Sequence, residues 1–374
     1  MKIIHIIWGL NYGGIETMLI NIANQQAILG HEVNIVVIND VVETNIINSL
    51  SSSVRLYRLN RKTKSRSFLF IIKLNNLLRS ICPDILHLHS AFLYYMIYPQ
   101  WRGRMCCTMH DIPFDKRTKQ GRLLLPNLGI MNLFIKQATN IQNLHRFRYL
   151  FAISKSVQDE LLNSFGIKSI LVNNGINVEK FRAREEDLFH NNHIRIIQVS
   201  RLDHNKKGQD LLIEAIAKLK SKINMTVDFI GEGPSLCYLK HLSEEKNVQD
   251  IVNFLGAKSP DYISDNLLKY DLFIQPSRIE GFGLTVAEAI AAKVPVLVSS
   301  GEGPAEITCN DTYGWTFKKG DSTSLSNMIE YIYNHKEDVV YKTNEALRYI
   351  QSNYSVSSTA KNYINGYNNV LNSI

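Results

Sequence analysis

Apolar residues along this chain fall into short continuous runs separated by longer stretches of helical period. Lys2 to Trp8 is one such run and ends in the turn Tyr12-Gly13-Gly14; Ile15 to Leu29 has helical spacing and is stopped by Gly30; His31 to Ile38 is β-branched again. Strand, helix and strand in that order predict a βαβ unit. The runs Asp84 to His89, Arg104 to His110 and Tyr149 to Ile153 repeat the buried-strand theme. A second series follows at Ile194 to Val199, Thr226 to Ile230, Ile251 to Phe254, Leu272 to Gln275 and Val294 to Val298. It alternates with helical segments at Gly208 to Lys220, Leu236 to Lys246 and Val286 to Ala292. Continuous apolar strands between helices mean parallel sheets covered on both faces. The predicted fold class is therefore α/β, with two Rossmann-like domains of parallel sheet. Residues 1–176 form the first and 193–355 the second. The polar stretch 177–192 (EKFRAREED and HNNH lie in it) is read as a linker, and a C-terminal helix over 356–374 crosses back to the first domain. Ligands of doubly wound sheets bind beyond the C-terminal ends of the strands, so loops from both halves are expected to build the site.

Composition narrows the function classes. A chain of 374 residues with 45% apolar and 20% charged residues can bury two cores. Its apolar runs stop well short of the roughly 18 residues that a membrane-spanning helix needs. No small-residue cleavage site follows the first strand, so export is not expected. Five scattered cysteines without C-x-x-C spacing argue against a disulfide framework or a zinc site and fit a reducing cytoplasm. Charge is uneven. Residues 1–168 hold 20 Lys and Arg against 9 Asp and Glu, a net +11, which leaves −3 for the remainder. The densest part is Arg55, Arg58, Arg61, Lys62, Lys64, Arg66, Lys73 and Arg79, with no acid between Glu43 and Asp84. It runs into SFLFIIKLNNLL, a pairing that suits an anionic membrane surface and equally an ordinary core-facing helix behind a basic loop. No nucleic-acid-binding motif accompanies the charge.

Three clusters carry candidate chemistry. Gly13-Gly14-Ile15-Glu16 opens the first helix, where free amides can meet an anion. It is not G-x-G-x-x-G, and Gly231-Glu232-Gly233-Pro234 lacks the third glycine too, so a nicotinamide cofactor is not supported. The second cluster, Ser200-Arg201-Leu202-Asp203-His204-Asn205-Lys206-Lys207-Gly208, follows a strand and offers a guanidinium and ammonium groups to a diphosphate. In the third, Glu280 sits in a glycine-flanked loop and Glu288 lies eight residues on, inside the helix that starts near Leu284. Amides of Gly283, Leu284 and Thr285 would point at a phosphate, Glu288 can accept hydrogen bonds from a diol, and Glu280 can meet a second polyol.

Together these residues resemble the family 4 glycosyltransferases, retaining enzymes of the GT-B fold that use nucleotide-sugar donors. The similarity rests on GGIE, HLHS, TMHD, ISKSVQDEL, VNNGINVEKF, SRLDHNKKG, IGEGP and the two glutamates spaced as E-x7-E, in order along nearly the whole chain. The resemblance implies that Arg201 and Lys207 bind the donor diphosphate, with Lys206 as the alternative because of the extra residue. Glu288 would then bind the ribose, Glu280 the donor sugar, and His110 would lie by the transferring sugar. Gly13 and Gly14 would admit the phosphates or acceptor, and Gly281 and Phe282 complete the donor-binding loop. Residues around Gly256, Ala257 and Lys258 would touch the base, with UDP favoured over GDP-mannose. His110, Glu280, Arg201 and Lys207 are the catalytic candidates, with no nucleophile and no metal or other cofactor, since an Asp-x-Asp clamp is lacking. His87 and His89 read as structural residues on one face of a buried strand, without an evident third metal ligand. The implied reaction is hexosyl transfer to a saccharide acceptor, lipid-linked by the charge argument, in O-antigen or capsule-type polysaccharide assembly on the cytoplasmic face of a membrane. An inactive sugar-binding subunit, an epimerase or a phosphorylase of the same fold are the rival readings. One departure stands out: Lys293 follows the AEAIAA helix where the family has glycine, so a left-handed cap must be held by a non-glycine residue at about 1 kcal/mol.

Overall fold

Strands buried on both faces have no side to offer to water, and here they occupy the middle of two parallel sheets. The structure, a computed structural model, describes residues 1–11, 13–110, 141–185, 188–189 and 192–372. The chain divides into one unit of Met1–Gly175 with Val356–Ile374 and another of Ile176–Ser355.

In the first unit β1 (Lys2–Ile7), β2 (Glu32–Asn39), β3 (Val54–Arg61), β4 (Ile85–Leu88), β5 (Met105–Met109), β6 (Tyr149–Ala152) and β7 (Ile170–Leu171) form one sheet in the order β3-β2-β1-β4-β5-β6-β7. All of its strand pairs are parallel. Central β1 places His5 opposite Ile35 on one side and His87 on the other. The sequence reading missed β3, because VRLYRLNR intersperses three arginines among its apolar residues and shows no continuous apolar run. Arg55 and Arg58 are exposed while Val54 is buried, the pattern of an edge strand protected by charge. The following helix, Leu69–Ile81, buries Phe70, Leu74 and Leu78 but leaves Phe68, Leu69 and Ile72 exposed. The helix Val356–Leu371 closes the unit, with Tyr363 and Tyr367 fully buried.

The second unit has β8 (His193–Val199), β9 (Asn224–Ile230), β10 (Val252–Phe254), β11 (Leu272–Gln275), β12 (Val296–Ser299) and β13 (Trp315–Phe317), ordered β10-β9-β8-β11-β12-β13 and again parallel. The expected linker is part of this body. Leu188 and Phe189 belong to its core, and the Arg184 guanidinium is buried against Asp271 at 2.6 Å. Asp271 also accepts from the Phe189 amide at 3.1 Å and from the Arg195 amide and Nε at 2.8 and 3.2 Å. Burial alone would raise the Asp271 pKa; the hydrogen bonds from Arg195 and the charge and hydrogen bond of Arg184 outweigh it and bring it below the ordinary value. A polar composition therefore concealed a buried ion pair. As the missing glycine implied, Lys293 adopts a left-handed φ of 57° after the helix Leu284–Ala291.

Candidate functional site

In the second unit the loops that follow β8 and β11 are tied into one structure. Gly208 ends the short helix His204–Lys207 at φ 67°, and a Cβ there would overlap the Pro276 carbonyl, so only glycine lets the two loops come this close. The Lys206 carbonyl accepts from the amides of Arg278 at 2.7 Å and Ile279 at 3.1 Å. Arg278 grips the Asp210 carboxylate with both terminal nitrogens at 2.7 and 2.8 Å and reaches the His204 carbonyl at 2.7 Å. This bidentate fork is the strong form of such a contact and fixes the lysine segment against the glutamate segment.

The pairing this produces is specific. Lys207 Nζ lies 2.5 Å from Glu280 Oε2, with Gln275 Nε2 at 3.4 Å from the same oxygen. Lys206 projects an exposed side chain, and Arg201 is exposed with no side-chain partner among the described residues. The backbone of Glu280 is held from both sides: its amide donates to Glu302 Oε2 at 2.8 Å, and its carbonyl accepts from Gly303 at 3.0 Å. Glu302 is buried and ion-paired with Lys319. Sequence reasoning assigned no role to Asp210, Arg278, Glu302 or Lys319. Arg278 and Glu302 flank the glutamate motif and were visible, but their pairing partners are remote in sequence.

Glu288 stands on the helix Leu284–Ala291 among buried Val286, Ala287, Ala289 and Ile290. Its half-buried carboxylate has no hydrogen-bond partner among the described residues. Burial lifts its pKa to about 7, against the opposing charge of Lys180. Gly283 caps this helix with φ 95° and, among the described residues, no side-chain oxygen meets the amides of Leu284 and Thr285 at its start. Gly281 is buried, and the Phe282 ring is buried too, 5.8 Å from that of Tyr354, so Phe282 offers a ligand its backbone alone. A cavity of about 320 Å³ lies past the ends of β9 and β10, lined by Gly231, Gly233, Phe254 and Gly256 among others. Gly233 is explained by packing, because a Cβ there would overlap the Leu202 carbonyl in the loop that carries Arg201.

The first unit holds the remaining candidates. Gly13 and Gly14 are exposed at the start of the helix Gly14–Ile28. The Glu16 carboxylate folds back over Gly13 and accepts from its own amide, while burial raises its pKa. It thereby sits where an incoming anion would meet this helix. Tyr12 and Asp111, the last residue of TMHD, lie outside the described residues. His110 follows β5, half-buried, with Nε2 at 3.1 Å from His89 Nδ1.

His87 and His89 do lie on one face of the sheet, but a third imidazole missed in the sequence joins them. His5 in β1 is fully buried, and nitrogens of His5, His87 and His89 lie within 4.8 Å of one another. Each of the six ring nitrogens already has a hydrogen-bond partner. His5 meets His89 Nε2 at 3.1 Å and Gln26 Oε1 at 2.8 Å, His87 meets the hydroxyls of Tyr367 and Thr108 at 2.6 and 2.7 Å, and His89 meets His5 and His110. A metal would have to break these bonds to coordinate. The group behaves as a hydrogen-bonded network, which the apolar run KIIHII gave little reason to expect.

Two family models match the chain, one described as glycosyl transferases group 1 over residues 179–351 and one as glycosyltransferase family 4 over residues 12–180. An uncharacterized glycosyltransferase of Methanocaldococcus jannaschii is 28% identical over 232 residues, which cover 58% of this chain and 59% of that protein. The amylovoran biosynthesis glycosyltransferase AmsK of Erwinia amylovora is 31% identical over 173 residues, 44% of this chain and 42% of the relative. The chain thus spans between two fifths and three fifths of the length of these relatives. Among solved structures, Anabaena HepE in complex with UDP and glucose superposes with a TM-score of 0.77 at 18% identity, covering 98% of each chain.

Proposed function

The chain belongs to glycosyltransferase family 4 and has the GT-B fold, and from that premise we propose that it transfers a hexosyl group from a UDP-sugar to a saccharide acceptor in surface-polysaccharide assembly. The observation that carries this reading is the second unit's constellation. It sets an exposed Arg201 and a Lys207–Glu280 pair at 2.5 Å on two loops locked to one another, and Glu288 on the helix that follows, with neither the Arg201 side chain nor the Glu288 carboxylate hydrogen-bonded among the described residues. Cations suit a diphosphate; a carboxylate without protein donors suits a diol. The cavity lined by Gly231, Phe254 and Gly256 offers a place for the base.

In this proposal Arg201, Lys207 and the amides of Leu284 and Thr285 stabilise the charge that develops on the leaving diphosphate. Such preorganised donors are worth several kcal/mol in a water-poor site. Lys207 also holds the Glu280 carboxylate in place, and that carboxylate accepts from hydroxyls of the sugar. Transfer proceeds with retention: the bond from the anomeric carbon to the phosphate oxygen breaks, the bond to the acceptor oxygen forms on the same face, and the acceptor proton passes to the departing phosphate. Neither a protein nucleophile nor a metal is required. The acceptor is proposed to be lipid-linked and the protein peripheral on the cytoplasmic side. Exposed Phe68, Leu69 and Ile72 beside Lys62, Lys64 and Lys73 support that placement, and no helix among the described residues is long and apolar enough to cross a membrane.

Calorimetric titration of UDP, GDP and ADP in the presence of a chelator tests the core of the proposal. UDP alone is expected to bind at micromolar concentrations. Selective binding of GDP would replace the donor class, and failure of all three nucleotides would overturn the transferase reading of the site.

A further inference from the structure

Three histidines of the first unit, His5, His89 and His110, are arranged in a line with a direction. His110 Nε2 meets His89 Nδ1 at 3.1 Å, His89 Nε2 meets His5 Nδ1 at 3.1 Å, and His5 Nε2 meets Gln26 Oε1 at 2.8 Å. A neutral imidazole has one N–H and one bare nitrogen. Burial holds His5 and His110 near pKa 4 and, with the charges of neighbouring imidazoles, holds His89 well below the ordinary value, so all three are neutral at pH 7. Each link needs one donor and one acceptor. The state of any ring therefore dictates that of the next, and only two proton arrangements satisfy the whole line.

Gln26 selects between them. Its Nε2 lies 3.3 Å from the Tyr367 hydroxyl, which lies 2.6 Å from His87 Nδ1. A separation of 2.6 Å is short for an N–H donor to oxygen and ordinary for a hydroxyl donor. Tyr367 thus donates to His87 and has only its lone pairs left for Gln26. The amide must then donate through Nε2 and present Oε1 to His5. From there the order is forced: His5 carries its proton on Nε2, His89 on Nε2 and His110 on Nε2. His110 Nδ1 is left bare, and it has no partner among the described residues.

We propose that Gln26, His5 and His89 are positioning residues that lock His110 in its Nε2–H tautomer and so leave Nδ1 as a hydrogen-bond acceptor for a hydroxyl of a bound sugar. The sugar as partner rests on the transferase reading above; the locked tautomer does not. His110 would then select for a hydroxyl that can donate, and a donor analogue with fluorine in place of that hydroxyl would lose the contact.

Long-range proton–nitrogen correlation spectra of the ligand-free, full-length protein with ¹⁵N-labelled histidine read the tautomers directly. The expected result is Nε2–H for His5, His89 and His110 alike. An Nδ1–H form at His110, or mixed senses along the line, overturns the proposal. In Gln26→Met, which removes the terminal acceptor, the His110 nitrogen signals are expected to move toward the average of two tautomers. Unchanged signals in a folded Gln26→Met protein would mean that His110 is set locally, which also overturns the relay. Should that variant not fold, the wild-type spectrum alone decides. Because no nucleotide is present, failure here leaves the transferase reading intact, and failure of nucleotide binding leaves the relay intact.

Discussion

If Glu288 receives a ribose diol, its ionisation must be linked to nucleotide binding. The carboxylate is half-buried and has no hydrogen-bond donor among the described residues, and its pKa of about 7 means that near neutrality about half of the molecules carry a neutral acid there. Two diol hydroxyls donating to the group favour its charged form. Binding should therefore release a proton whenever the pH lies below about 7. The binding-competent fraction falls from roughly nine tenths at pH 8 to roughly one tenth at pH 6. The apparent Kd then rises about tenfold, or ~1.4 kcal/mol.

Calorimetry of UDP between pH 6 and 8, in buffers of different ionisation enthalpy, measures both the affinity and the proton count. The terminal phosphate of UDP also ionises near neutrality, so the quantity of interest is the difference between the wild type and Glu288→Gln, which cannot titrate. The tenfold component should vanish in the variant. A pH slope identical in the two proteins would refute the assignment of the carboxylate to the nucleotide. Stability supplies an independent arm. A carboxyl with a raised folded pKa contributes stability that is present below its unfolded value near 4.5 and is lost as pH rises through about 7. The melting temperature of Glu288→Gln should therefore gain on the wild type between pH 5 and pH 8. A gain in the opposite direction would show that the group is ionised in the folded protein throughout.

Two further outcomes concern the backbone at Lys293 and the basic surface of the first unit. Lys293 holds a left-handed φ of 57° where the Val294 amide bonds back to Ala289 at 2.9 Å, so Lys293→Gly should stabilise by about 1 kcal/mol, a rise of roughly 2 to 4 °C in Tm; an unchanged or lower Tm would show that the cap is unstrained. At low salt the protein should bind anionic vesicles, and neutralising Lys62 and Lys64 together should weaken this about thirtyfold at ~1 kcal/mol per charge; salt-independent binding, or none, would remove the membrane placement.

Much of the architecture was legible because uninterrupted apolar runs permit few structures other than buried parallel strands, and the runs at Lys2, Asp84, Leu272 and the rest proved to be strands within a residue or two. The failures have a common physical form. The edge strand Val54–Arg61 uses charge to shield its free side, so its composition resembles a basic loop. The stretch 177–192 reads as a linker because it is rich in charged and polar residues, yet Arg184 within it pairs with Asp271, 87 positions away, and no local pattern announces the pair. His5 was passed over inside an apolar strand for the same reason, since its partners Gln26 and His89 come from other elements.

The candidate site divides along the same line. Arg201, Lys207, Glu280 and Glu288 were visible because their order along the chain is distinctive, whereas the parts that hold them depend on three-dimensional closure. Lys207 meets Glu280 only because Arg278 clamps Asp210 and because Gly208 lets the Pro276 carbonyl approach. This has a consequence for the energetics of the ligand-free state. Lys207, proposed to meet the donor diphosphate, is already neutralised by Glu280, and the helix start at Gly14 is already occupied by Glu16. An incoming anion therefore competes with internal carboxylates at both places, while the Arg201 side chain has no partner among the described residues and is exposed for first contact. Such internal counter-ions avoid burying bare charges before the ligand arrives, and they make discrimination depend on what the ligand offers in exchange. An inorganic anion that only replaces one charge contact with another gains little. A nucleotide sugar that also satisfies Glu288 and gives Glu280 new hydroxyl donors gains at each exchange.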